Sequence, residues 1–281
     1  ICPCKNYINH GLRQMLMLDK ELETAKKAAM KAGQRIMDFY SQDIDVQQKG
    51  GRPDNPLTEA DKAANDIIVS ELEKDFSHPI LTEEAEDNKD RLESSTVWIV
   101  DPLDGTKEFV NKLDEFTVNI ALVRENEPVL GVILVPAKGD LYYASTGGGA
   151  FHERKGEKKE MNVSENEIIS SMTIARSRSH ASEKLLSIIS KAGFRAAITS
   201  GSSVKGCLVA RGDADVYIRL GPVHEWDICA MDIIIKEAGG AITGTEGKPL
   251  KYNKPSTLIE WGFIASNNRA HDELLEMIKN D

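Results

Sequence analysis

Cysteine is scarce in this chain, four among 281 residues, and none stands in a spacing that builds a disulfide framework or a zinc site. Cys207 and Cys229 are isolated in apolar segments, and Cys2-x-Cys4 offers no more than a weak soft-metal pair. The expected compartment is therefore a reducing one, the cytoplasm. Long apolar runs are also missing. None reaches the roughly 18 residues that a membrane span requires, so no span is expected. Basic charge is in deficit: 35 Lys and Arg face 45 Asp and Glu, for a net charge of −10. That balance excludes a general surface for a nucleic-acid polymer. A small phosphorylated molecule remains open as a partner, because a few cations or bound metals can reverse the local field.

Residues 1–17 show little periodicity and no apolar core ahead of a cleavage site. They read as a leader, disordered or foreign to the native chain, with Met15 or Met17 as the native start. From Leu18 to Tyr40 apolar residues recur at helical spacing, with Asp19 or Thr24 as the start. The polar run Gln47 to Asn55 reads as a loop, and Thr58 to Phe76 as a second helix. A β-rich stretch follows: Pro79 to Thr82, Val97 to Val100, a hairpin of 117–123 with 129–135, then Leu141 to Ala144 and Gly149 to Phe151. The second half alternates strand and helix up to Ala270–Ile278. The expected fold class is α+β or α/β, helices layered against two sheets. A soft boundary near residue 165 separates an 18–165 subdomain from a 166–281 subdomain.

The densest chemistry lies in Trp98-Ile-Val-Asp101-Pro-Leu-Asp104-Gly-Thr106. An apolar strand delivers Asp101, Pro102 is expected to stop the ladder, and Asp104-Gly105-Thr106 can open a helix. Two carboxylates that close repel unless a cation separates them. A hard cation such as Mg²⁺ accepts oxygen ligands and leaves positions for water and phosphate. Backbone N–H groups at Gly105 and Thr106 suit a phosphate. Asp104 alone also reads as an ordinary helix cap. The whole run is harder to dismiss, because Glu83-Glu84 also ends a strand and Asp227 opens an apolar helix.

Four segments together resemble the inositol monophosphatase superfamily of Mg²⁺-dependent, Li⁺-sensitive phosphatases. They are Pro56-Leu57-Thr58-Glu59-Ala60-Asp61, Glu83-Glu84, Asp101 to Thr106, and Trp226-Asp227 with Glu237-Ala-Gly-Gly240. The resemblance implies a layered α-β-α-β-α sandwich of the inositol monophosphatase and fructose-1,6-bisphosphatase type. It implies two or three Mg²⁺ per site, held by Glu83, Asp101, Asp104, Asp227 and the Leu103 carbonyl. Glu83 and Thr106 match the pair that orients the attacking water, and Asp61 a carboxylate near an activating metal. Gly105 and Thr106 match phosphate contacts, and Asp104 and Asp227 line the substrate as well. Thr58 with Asp61 also reads as a capping box. Thr82 stands where family members often have Ser, and both carry a hydroxyl.

Lys107-Glu108-Phe109 after the Gly-Thr, and Glu115 to Ala121, resemble the CysQ-type 3′(2′),5′-bisphosphate nucleotidases within that superfamily. In that branch the positions matching Ser177, His180, Gly201 and Lys205 contact the nucleotide. The implied reaction removes the 3′-phosphate of adenosine 3′,5′-bisphosphate, with its sulfated relative as a second substrate, in a monomer or homodimer. His180 reads equally as a surface or capping histidine, Lys205 as a solvated lysine, and Trp226 as a packing anchor. Arg178 and Arg219 are cations without an assigned place. Inositol monophosphatase or fructose-1,6-bisphosphatase activity is the alternative, and a non-catalytic nucleotide sensor is the reading from another class. The haloacid-dehalogenase pattern is excluded, because it needs Asp-x-Asp-Gly-Thr where this chain has Asp-x-x-Asp-Gly-Thr.

Overall fold

A computed structural model describes residues 4–41, 59–178 and 182–280, with side chains described from Leu18 onward. Pro56 to Thr58, the 47–55 loop and His180 lie outside the described residues. The first helix, α1, spans Cys4–Tyr40, so it begins well upstream of Asp19. Propagating a helix adds one hydrogen bond per residue fixed, and no proline interrupts 4–17, so no cap is needed at residue 19. The second helix, α2, runs Glu59–Glu73 and pairs with α1.

Seven strands form the first sheet in sequence order: β1 (Ile80–Thr82), β2 (Thr96–Asp104), β3 (Thr117–Arg124), β4 (Glu127–Val135), β5 (Asp140–Ser145), β6 (Gly149–Arg154) and β7 (Glu157–Glu160). β1 is parallel to β2 and the others are antiparallel. The β3–β4 turn is Glu125-Asn126, with φ of 49° and 63°, the left-handed pair that suits a tight hairpin. Between β2 and β3 a short helix, α3, occupies Thr106–Val110.

The chain passes to the second sheet between Glu160 and Thr173. There β8 (Thr173–Ser177), β9 (Ala196–Ser200), β10 (Val216–Leu220), β12 (Ala241–Gly244) and β14 (Gly262–Ser266) take the order β12-β14-β10-β8-β9. A small ribbon pairs β11 (Val223–His224) with β13 (Leu258–Ile259). Four more helices complete the described chain: α4 (Glu183–Ala192), α5 (Val204–Ala210), α6 (Glu225–Glu237) and α7 (His271–Lys279).

Strand alternation sorts these elements into layers. Trp98, Val100, Ile120 and Val132 face α1 and α2, in a core with Ala25, Ile36, Ala64 and Ile68. Val97, Ile99, Ala121 and Ile133 face the other way, onto α6 and α5, which also cover Ala175, Tyr217 and Phe263 of the second sheet. Ile174, Val216, Ile218 and Ile264 turn outward to α4 and α7. The result is an α-β-α-β-α sandwich. α6 lies almost against the backbone of β4: a Cβ added at Gly131 would come 2.4 Å from the Ala230 carbonyl oxygen. Glycine is what permits that approach.

Candidate active site

β2 does not end at Asp101 as expected. It continues through Pro102 to Asp104, and the irregularity the proline causes appears as a bulge. Asp101 is paired with Asn119 and Asp104 with Thr117, so Pro102 and Leu103 oppose one residue of β3. Leu103 turns into the α1/α2 core. Its N–H donates to Asp101 Oδ1 at 3.1 Å. Asp104 is thereby returned to the face that carries Asp101.

Asp227 arrives from across the molecule. α6 starts at Glu225 rather than at Asp227, with His224 as its N-cap. Asp227 is the third helical residue, and its Oδ2 accepts from the His224 N–H at 2.7 Å, the reciprocal bond of a capping box. Trp226 is partly buried against the core and stacks on His224 at 4.4 Å, the packing role expected of it. Oxygens of Asp101, Asp104 and Asp227 all lie within 4.8 Å of one another.

Glu83 follows β1, and its N–H donates to the Val100 carbonyl at 3.3 Å, which sets it beside Asp101. Its carboxyl is pushed up to about 8 by burial, then by the charges of Asp227, Asp104, Glu84 and Asp61. Asp101, 1% exposed, is pushed well above the carboxylate range by burial and then by Glu83 and Asp104. Asp227 rises to about 7 through burial and the Asp104 charge, against the lowering effect of the His224 N–H. Glu84 rises to about 7 by burial and by Asp61, itself buried on α2. Asp101 Oδ2 is buried with no hydrogen-bond partner among the described residues, and so is Asn119 Oδ1 on the residue paired with it. Buried, mutually repelling oxygens with unfilled lone pairs fit a hard divalent cation. Asp101, Asp104 and Asp227 can hold one directly, with Glu83 adjoining.

The cavity beside this cluster is lined by Asp104, Gly105, Thr106, Ser177, Lys205 and Asp227 among the expected contacts. Gly105 has φ of 92° and caps the five-residue α3, whose first N–H groups have no partner within the helix, so those donors matter here more than any helix dipole. Gly201, expected at the nucleotide, is not among the residues lining this cavity, and its N–H donates to Glu115 Oε2 at 2.9 Å. Lys205 is 4% exposed, not solvated, and its Nζ donates to the Ser202 carbonyl at 2.5 Å. Burial lowers it to about 8, with Asp104 pulling the other way. Arg219 also lines the cavity, whereas Arg178 is held outside it by Glu115 at 3.0 Å.

Two supporting residues escaped the sequence reading. Ser203 Oγ lies 3.0 Å from Asp104 Oδ2 and 3.0 Å from the Asp227 carbonyl oxygen. Asn119 Nδ2 donates to that hydroxyl at 3.0 Å. Only the clustering of hydroxyls in Ser202-Ser203 ahead of Lys205 hinted at this.

The inositol monophosphatase family model matches residues 17–280. The 3′(2′),5′-bisphosphate nucleotidase CysQ of Buchnera aphidicola is 39% identical over 257 residues, covering 89% of this chain and 93% of that one. The Escherichia coli K12 protein of the same name is 36% identical over 254 residues, covering 89% and 99%. Among solved structures, CysQ from Bacteroides thetaiotaomicron superposes with a TM-score of 0.77 at 35% identity, covering 89% and 98%. The Thermotoga maritima IMPase gives 0.78 at 30% identity, covering 93% and 97%.

Proposed function

The chain belongs to the inositol monophosphatase family, and from that membership and the acidic cluster we propose that it hydrolyses the 3′-phosphate of adenosine 3′,5′-bisphosphate with Mg²⁺. The observation that carries the reading is the convergence of Asp101, Asp104 and Asp227 from two distant elements on one buried point, with Asp101 Oδ2 unpartnered among the described residues. Glu83, Asp101, Asp104, Asp227 and the Leu103 carbonyl would hold two or three Mg²⁺. Bound there, the ions supply a nucleophile of lowered pKa and neutralise charge on the phosphoryl and leaving oxygens.

The chain's own groups do the rest. Glu83 and Thr106 orient the attacking water, and a Glu83 carboxylate oxygen accepts its proton. Gly105 and Thr106 receive the phosphoryl oxygens with their N–H groups. Ser203 holds Asp104 at 3.0 Å, so that this carboxylate does not turn away when the charge balance changes. Lys205 meets the phosphate that is not cleaved, with Ser177, which also lines the cavity, on the nucleotide side. Asp61 tunes the cluster through its charge on Glu84, Glu83 and Asp101. The buried thiols of Cys207 and Cys229, free among the described residues, suit the cytoplasmic setting we propose. No described helix is long and apolar enough to cross a membrane.

The deciding experiment compares kcat/KM for adenosine 3′,5′-bisphosphate, inositol 1-phosphate and fructose 1,6-bisphosphate with Mg²⁺ present. The bisphosphate nucleotide should lead. A clear preference for inositol phosphate would overturn the substrate, and a trapped aspartyl-phosphate would overturn the water mechanism.

A further inference from the structure

The carboxylates of the cluster ride on three separate stretches of chain. Asp101 and Asp104 share β2, whereas Glu83 sits at the end of β1 and Asp227 in the first turn of α6. Something must fix those last two arms relative to each other before any cation arrives. A second buried polar network, outside the cavity, spans them.

Its centre is Arg91, an arginine only 2% exposed, in the short 3₁₀ turn at Lys89–Glu93 that follows Glu83-Glu84. Arg91 grips Asp87 with two bonds, Nε to Oδ1 at 2.6 Å and Nη2 to Oδ2 at 2.8 Å. Two further donors cross the molecule: Nη1 reaches Asn253 Oδ1 at 2.7 Å and Nη2 the Lys254 carbonyl at 3.0 Å. Asn253 returns a bond from Nδ2 to the Arg91 carbonyl at 3.1 Å. The same residue, held at φ 58°, points its N–H the other way, to Glu225 Oε2 at 2.7 Å. The Lys254 N–H fills Glu225 Oε1 at 3.2 Å. Glu225, wholly buried, is the first residue of α6, two before Asp227.

We infer that residues 253–254 form a clamp between the Glu83 arm and the Asp227 arm, with Arg91, Asn253 and Glu225 as positioning residues that set the affinity of the acidic cluster for divalent cations. The inference rests on the metal-dependent reading above and extends it to residues that touch neither cation nor substrate. The chemistry of the network supports it. A planar guanidinium bonded on both edges and a carboxylate bonded at both oxygens fix direction as well as distance. Ligand carboxylates that repel one another would spread apart without such a frame, and the cation would have to gather them at the expense of binding. Once the cation is bound, it holds them itself. The clamp therefore acts on metal affinity more than on turnover.

The test uses Mn²⁺ as the probe, with direct binding followed by electron paramagnetic resonance and Mg²⁺ activation followed by kinetics. Glu225→Gln and Asn253→Ala should each weaken Mn²⁺ binding and raise the Mg²⁺ midpoint by about tenfold. At saturating Mg²⁺, kcat and the KM for substrate should return close to wild-type values. Arg91→Lys, which keeps the charge and loses the fork, should fall between. Glu237→Gln is the control for a purely structural loss. Glu237 accepts from Gly147 and Gly149 at 3.0 Å each, at the far end of α6, so this variant should lower Tm and leave Mn²⁺ affinity alone. If Glu225→Gln and Asn253→Ala only lower Tm in the same way, the clamp is wrong while the metal reading stands. If wild type binds Mn²⁺ no better than Asp101→Asn, both fall together.

Discussion

Asp101 and Asp104 face the same side of β2 although three steps of a regular strand would leave them on opposite faces. The bulge at Pro102-Leu103 supplies the missing half-turn: Leu103 joins Trp98 and Val100 on the α1/α2 side, and Asp104 returns to the α6 side. The geometry gives Asp104 a role that its neighbour cannot take over. Asp104→Asn keeps the shape and an oxygen for Ser203 but removes the charge. Turnover should fall by about 10²–10³-fold or more, with far-UV circular dichroism unchanged. Full activity in this variant would refute the metal assignment.

Much of this site was readable because its chemistry is local in sequence. Asp101, Asp104, Gly105 and Thr106 sit within six residues, and Glu83 and Asp227 each adjoin a strand or helix whose apolar pattern is plain. What stayed hidden depends on partners remote in sequence. Asn119 meets Ser203 across 84 positions and Arg91 meets Asn253 across 162, separations that no periodicity reports. The edge strand β7, Glu-Lys-Lys-Glu, was invisible because all four residues are exposed and carry no alternation. Lys205 looked like a solvated lysine on composition, and only the fold buries it.

The metal-free protein should be strained by its own cluster. Asp101 is raised well above the carboxylate range, first by burial and then by Glu83 and Asp104, so its ionised form opposes folding. Asp101→Asn should therefore raise the Tm of protein stripped with chelator. In wild type, Mg²⁺ at about 100 times its dissociation constant adds about 2.7 kcal/mol, a rise of several degrees. That rise should vanish in the variant. Calorimetry with and without Mg²⁺ reads both effects, and a variant with lower metal-free Tm would count against the repulsion argument.

If Lys205 meets the second phosphate as proposed, it should separate substrates by that group. A hydrogen bond to a charged group contributes about 1.5–3 kcal/mol, so Lys205→Met should raise KM for adenosine 3′,5′-bisphosphate about tenfold or more. Adenosine 3′-monophosphate, which lacks the other phosphate, should be nearly indifferent. Burial sets the amine at about 8, below its ordinary value, so the free enzyme loses this positive charge as pH rises past that point. Wild-type kcat/KM for the bisphosphate should decline there, and the decline specific to the bisphosphate should be absent in Lys205→Met. Equal losses for both substrates would remove Lys205 from the second phosphate.

Asp87 provides an acid-side signature of the buried arginine. Its carboxyl is held down at about 2, first by the Arg91 bonds and next by Lys89. A carboxylate with a depressed folded pKa contributes stability that is fully present above its unfolded value, about 3.9, and lost as pH falls through the folded value. Asp87→Asn cannot titrate. It should be less stable than wild type at pH 7 by about 1.5 kcal/mol, because its amide nitrogen cannot accept from the guanidinium and its oxygen carries no full charge. The gap should then close between about pH 4 and pH 2, as wild type protonates and the variant does not. Urea unfolding of both proteins across that range measures the gap directly. Curves that stay parallel down to pH 2 would show that Arg91 does not hold this carboxylate charged, and the bidentate pair would lose its claim to anchor the loop after Glu84.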